Sequence, residues 1–110
     1  MYQSWKEHRL ISTETVNTIA DGIAMRVPVA EALEDLQSSI DDILLVDDDK
    51  IIAAMKHLKS HAGLLVEPAG ASALAALLSD NPVFNKQRVA VVLCGSNMTE
   101  QQIQDYGLNQ

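Results

Sequence analysis

The run Val89-Ala90-Val91-Val92-Leu93 constrains the fold more than any other stretch of this chain. Five consecutive apolar residues of this kind fit a buried strand, which we place at residues 88–93. The run stops at Cys94, Gly95, Ser96 and Asn97. In open α/β sheets, ligands bind just beyond the carboxyl ends of strands. Cys94, the one cysteine of the chain, stands at such an end. A second segment, Val66-Glu67-Pro68-Ala69-Gly70-Ala71, puts a carboxylate at the start of an Ala-rich helix. Together the two segments read as one end of a small-molecule site.

The rest of the chain alternates between strand-length apolar runs and helical patterns. Residues 1–18 show no clean period and are expected to be helical around Tyr2–Glu7 and otherwise irregular. An apolar run with a glycine follows at 19–24. Pro28 suits a first helical turn, and Val29, Leu33, Leu36 and Ile40 follow at helical spacing. Ile43–Val46 is of strand length. Asp47, Asp48 and Asp49 then suit the positive end of a second helix dipole. Its apolar face is Ile51, Ile52, Met55, Leu58 and Ala62, and Gly63 is placed to end it. Leu64–Val66 is another strand-length run. The helix after Pro68 has almost no polar face, which marks it as buried. Asn81-Pro82 and Asn85-Lys86 mark a loop, and Thr99 is placed to cap a final helix that runs to about Tyr106. Strands alternating with helices predict an α/β fold, part of a parallel or mostly parallel open sheet flanked by helices.

Composition narrows the function classes. The net charge of −7, with no basic run to balance it, argues against nucleic acid or an anionic membrane as partner. A single cysteine allows no internal disulfide and suits a reducing compartment. No apolar run reaches the roughly 20 residues needed to span a bilayer, and residues 1–6 lack a signal-peptide core. The expectation is a cytoplasmic domain.

Four motifs in order carry a family resemblance: Thr-Ile-Ala-Asp-Gly at 18–22, Val-Asp-Asp-Asp at 46–49, Val-Glu-Pro-Ala-Gly-Ala at 66–71 and Val-Val-Leu-Cys-Gly-Ser-Asn-Met at 91–98. In content and spacing they resemble the C-terminal part of fold-type II pyridoxal-phosphate enzymes, in particular the threonine and serine dehydratases and serine racemase. The resemblance implies pyridoxal phosphate as cofactor. It also implies elimination of water from a hydroxy-amino acid, giving a 2-oxo acid and ammonia. It puts Cys94 against the pyridine nitrogen, where relatives carry Ser or Cys. A neutral thiol there leaves the ring nitrogen largely unprotonated, which favours α-proton loss and β-elimination over amino transfer. On its residue type alone, Cys94 reads rather as a small buried hydrophobe, the usual place of a free cysteine, and the resemblance reverses that.

Glu67 matches a carboxylate close to the cofactor ring, and ordinary helix capping would also explain it. Gly22 matches a glycine lining the pocket near the reactive end of the cofactor, and also reads as a turn glycine. Gly95 and Asn97 are expected to shape the loop beyond the strand. Ser96 departs from the glycine of many relatives.

The same resemblance calls for a Schiff-base lysine and a glycine-rich phosphate loop, both upstream of the matched region. The five glycines here are scattered singly. Ser4-Trp5-Lys6 mimics the family's Ser-x-Lys motif but lies far too close to Thr18–Gly22, so Lys6 is not assigned that role. Lys50, Lys56, Lys59 and Lys86 fall on polar helix faces or in a loop. Residues 1–110 are therefore expected to be the C-terminal portion of the cofactor-binding catalytic domain. The N-terminal half would be absent, Met1 would not be the biological start, and no catalytic residue would lie in this chain. The expected partners are a small hydroxy-amino-acid substrate, the missing half of the fold and further copies in a homo-oligomer.

Other readings stand beside this one. A non-catalytic half-fold used for association or ligand binding would also lack the lysine and the phosphate loop. Racemisation and β-replacement share the α-proton step with elimination. No metal site is expected. His57 and His61 have ligand spacing but no completing ligands. Asp47–Asp49 lack the loop glycine and distal Glu of a calcium site.

Overall fold

A computed structural model of the chain describes residues 1–109. Five α-helices follow one another: α1 Tyr2–Glu7, α2 Ala30–Ser39, α3 Asp48–Ala62, α4 Pro68–Leu77 and α5 Glu100–Asp105. Single 3-10 turns occupy Asp21–Ile23 and Pro82–Phe84. The chain divides into two units, one of Met1–Thr18 and Ile23–Leu44, the other of Ile19–Gly22 and the chain from Leu45 onward.

In the first unit, α1 packs on α2. Ser4 is fully buried, and its hydroxyl accepts from the Ile11 amide at 3.0 Å and donates to the Ile11 carbonyl at 3.3 Å. Both partners satisfy a polar group that would otherwise be costly to bury. The helix α2 starts two residues after Pro28, with Val29 as its extended N-cap. Leu33 is buried on its inner face, whereas Val29 is half exposed.

The second unit holds the main core. The helix α3 supplies Ile51, Ala54, Met55 and Leu58, and α4 supplies Ala71 and Ala75 against them. Ala20, Val66 and Leu108 close the cluster. Small residues on α4 let the two helices approach closely, and Ala54, Ala71 and Ala75 are almost wholly buried. The N-cap of α3 is Asp47, whose side chain makes no capping bond. The neighbouring Asp48 carboxylate accepts from the Ile19 amide at 3.0 Å, which ties the 19–22 segment to the start of α3.

Gly63 ends α3 in the left-handed region at φ 66°, and its amide returns to the Lys59 carbonyl. Thr99 and Gln102 form a capping box at the start of α5. At its end, Gly107 and Leu108 donate back to Gln104 and Ile103, the paired bonds of a Schellman motif, and Leu108 is buried as a result.

The sheet is where the structure departs from the sequence reading. Among the described residues no strand ladder forms, and 43–46, 64–66 and 88–93 run without regular pairing. An apolar run signals strand locally, but a ladder needs a second strand alongside it at every residue. Here the segments at 64–66 and 93–95 are tied at their ends by a bond from the Glu67 amide to the Gly95 carbonyl, 3.0 Å. Without paired neighbours, apolar side chains stand in the open: Leu45 is 72% exposed and Val92 78%. The apolar run at 19–24 contains a single 3-10 turn, Asp21–Ile23.

Candidate functional site

The residues singled out in the sequence, Gly22, Glu67, Cys94, Gly95 and Asn97, all lie in the second unit. Four of them meet at the Glu67 carboxylate. Glu67 precedes Pro68, which disfavours helical backbone, and it is extended at φ −68°, ψ 161°. Its carbonyl accepts the Ala71 amide at 3.0 Å, so its backbone opens α4. Its side chain makes no capping bond. It turns instead to the 94–97 turn, where Oε2 accepts the Asn97 amide at 3.2 Å. The capping role that the sequence allowed for this side chain is therefore not the one it performs.

Two glycines flank that carboxylate. Gly95 has φ 75°, and a Cβ there would overlap the Glu67 carboxyl group. On the other side, a Cβ on Gly22 would lie 3.1 Å from the Ala69 methyl and 3.6 Å from Glu67 Oε1. The carboxylate thus fills the space between the 19–22 segment and the 94–97 turn. Asn97 takes part through its backbone amide, a role its side-chain type does not signal.

Cys94 is a free, exposed thiol. It lines an open pocket of about 290 Å³ between Leu64–Val66 on one side and Leu93–Ser96 on the other. Gly70 is a site residue that sequence reasoning quoted but gave no role. A Cβ there would collide with the Cys94 carbonyl and come within 2.9 Å of Val66 Cγ1. The available signal was a glycine in the first turn of an otherwise Ala-rich helix, where it costs helix stability without a packing reason.

The remaining candidates belong to other parts of the chain. Lys6 belongs to the first unit, is exposed, and stands 5.7 Å from the Tyr2 ring centroid. The His57 and His61 rings stack at 4.1 Å on the exposed face of α3, and His61 Nδ1 lies 3.1 Å from the His57 carbonyl oxygen. No helix among the described residues is long and apolar enough to cross a membrane.

Residues 1–95 match the family model described as pyridoxal-phosphate dependent enzyme, and the chain belongs to that family. It is 31% identical over 97 residues to an L-threonine ammonia-lyase of Geobacter sulfurreducens, covering 88% of this chain and 24% of that protein. Among solved structures, a threonine deaminase from T.th. superposes with a TM-score of 0.81 at 28% identity, over 89% of this chain and 33% of that one. Maize serine racemase matches with the same TM-score and identity, over 94% and 33%. The chain thus spans about a quarter of that curated relative and a third of each of those two structures.

Proposed function

We propose that this chain supplies one edge of the cofactor site of a pyridoxal-phosphate-dependent dehydratase acting on threonine or serine. The observation that carries the reading is the convergence of Gly22, Glu67, Gly95 and Asn97, with Cys94 beside them on a pocket wall. The donor set suits the cofactor ring. A thiol-bearing residue stands at the pocket edge, and Leu64, Leu65, Val66 and Leu93 offer apolar surface to a flat ring. The nearby carboxylate, Glu67, already accepts the Asn97 amide.

When bound, pyridoxal phosphate supplies an electron-withdrawing ring that acidifies the substrate α-carbon. Cys94 would hold the pyridine nitrogen through a weak donor and acceptor, leaving it without a full positive charge. Gly95 allows the turn to pass close to the ring. Gly22 lies on the other side of the Glu67 carboxylate, against Ala69. The lysine that anchors the cofactor and the loop that binds its phosphate are assigned to the rest of the fold, since none of the seven lining residues is a lysine. That remainder would also pair with the strand-length runs and cover Leu45 and Val92.

The test is reconstitution. This chain is combined with the remaining part of the domain from the same source, and 2-oxo acid release from threonine and serine is followed with added pyridoxal phosphate. Release that needs both parts supports the reading. Its absence, with cofactor bound and both parts folded, counts against it and favours a non-catalytic half-fold.

The equal match to maize serine racemase favours a second reading, racemisation. The enantiomeric composition of serine recovered from the same mixture separates the two.

A further inference from the structure

We propose that Glu67 is a positioning residue, whose carboxylate holds the 94–97 turn so that Cys94 faces the pocket. The family resemblance pointed to this carboxylate as a neighbour of the cofactor ring. The geometry gives it a different task. Oε2 accepts the Asn97 amide at 3.2 Å, and the Glu67 amide donates to the Gly95 carbonyl at 3.0 Å. One residue therefore binds the turn at two points, once through its backbone and once through its side chain.

The carboxyl group also occupies the volume that a Cβ on Gly95 would need, so a side chain there would have to push the carboxylate aside. Cys94 sits between this grip and a second one, the contact of its own carbonyl with Gly70 in α4. Both grips belong to the first turn of α4 or its N-cap. The backbone of the turn at Cys94 is thereby held by α4, a helix anchored in the core through Ala71 and Ala75. A hydrogen bond to an ionised acceptor is stronger than one between neutral groups, which suits a tie made at an exposed turn.

What the thiol meets in the pocket rests on the cofactor reading above. The tie itself does not, and it is measured without cofactor. Amide hydrogen exchange of the whole chain is compared for the parent protein, Glu67→Gln and Glu67→Ala. Glutamine keeps an oxygen acceptor at the same reach, and alanine has none. The expected result is exchange of the Asn97 amide accelerated about tenfold in Glu67→Ala and within about threefold of the parent in Glu67→Gln. Unchanged exchange in Glu67→Ala, or equal acceleration in both variants, overturns the proposal.

Should Glu67→Ala fail to fold, Gly95→Ala provides the second route. Its methyl group displaces the carboxylate, and the Asn97 amide is expected to lose protection while amides in α3 keep theirs. Retained protection at Asn97 in that variant overturns the tie. An intact tie combined with pyridoxal phosphate binding that ignores every change at Cys94 would sink the cofactor reading alone.

Discussion

Gly70 in α4 faces the carbonyl of Cys94 so closely that no Cβ fits between them. This contact joins the helix that fills the core to the turn that lines the pocket. The colliding atoms are backbone, which cannot swing aside as a flexible side chain could. Gly70→Ala is therefore expected to destabilise the protein by about 2–3 kcal/mol, even though alanine is the better helix former by about 1 kcal/mol. Urea unfolding checks it, and a gain in stability would contradict the close approach.

Asp48 and Ile19 are joined across 29 positions of sequence by the 3.0 Å bond from the Ile19 amide. This bond places the 19–22 segment, and with it Gly22, beside the start of α3. Asp48→Ala is expected to cost about 1–2 kcal/mol. Exchange of the Ile19 amide should accelerate with it, and Asp48→Asn should retain part of the protection.

Met55 is 1% exposed at the centre of the α3–α4 contact. Met55→Ala is expected to lower stability by about 2–5 kcal/mol through lost burial and the cavity left behind. The same assay on Val92→Ala should give a change within about 0.5 kcal/mol, because Val92 is 78% exposed.

Thr99→Ala removes the acceptor that holds the Gln102 amide at 3.2 Å. A loss of about 1 kcal/mol is expected. Because Leu108 is buried by the Schellman turn that closes α5, fraying of this short helix should also increase exchange at the Leu108 amide, which donates to Ile103 at 2.8 Å.

The helices were legible because their signals are local. Thr99 announces a cap three residues ahead of Gln102, and Gly63 and Gly107 supply the left-handed residues that end two helices. The spacing of Ile51, Met55 and Leu58 marked the core face of α3 without any knowledge of its neighbour. The strands were not legible in the same way. Leu45 and Val92 have the residue types of a sheet interior, but pairing depends on a second segment that their own sequence does not specify.

The candidate residues were legible as a set that meets in space and less so as a geometry. Gly22, Glu67, Gly95 and Asn97 do converge, although they come from three separate motifs. The direction of the Glu67 side chain was out of reach, since a carboxylate before Pro68 satisfies the helix dipole whichever way it points. Gly70 was hidden for a related reason. A glycine in a helix reads as a weakness until the carbonyl that needs the space is known.

The central claim is that the Cys94 thiol marks the pyridine-nitrogen edge of a pyridoxal-phosphate site. The most direct measurement compares 2-oxo acid release from threonine by the reconstituted domain carrying Cys94, Cys94→Ser or Cys94→Asp. Serine keeps a neutral donor and acceptor and should retain activity within about tenfold, whereas a carboxylate would hold a proton on the ring nitrogen and should reduce release by about a hundredfold or more. Equal activity in all three proteins would contradict the assignment of Cys94 and, with it, the placement of the cofactor at this turn.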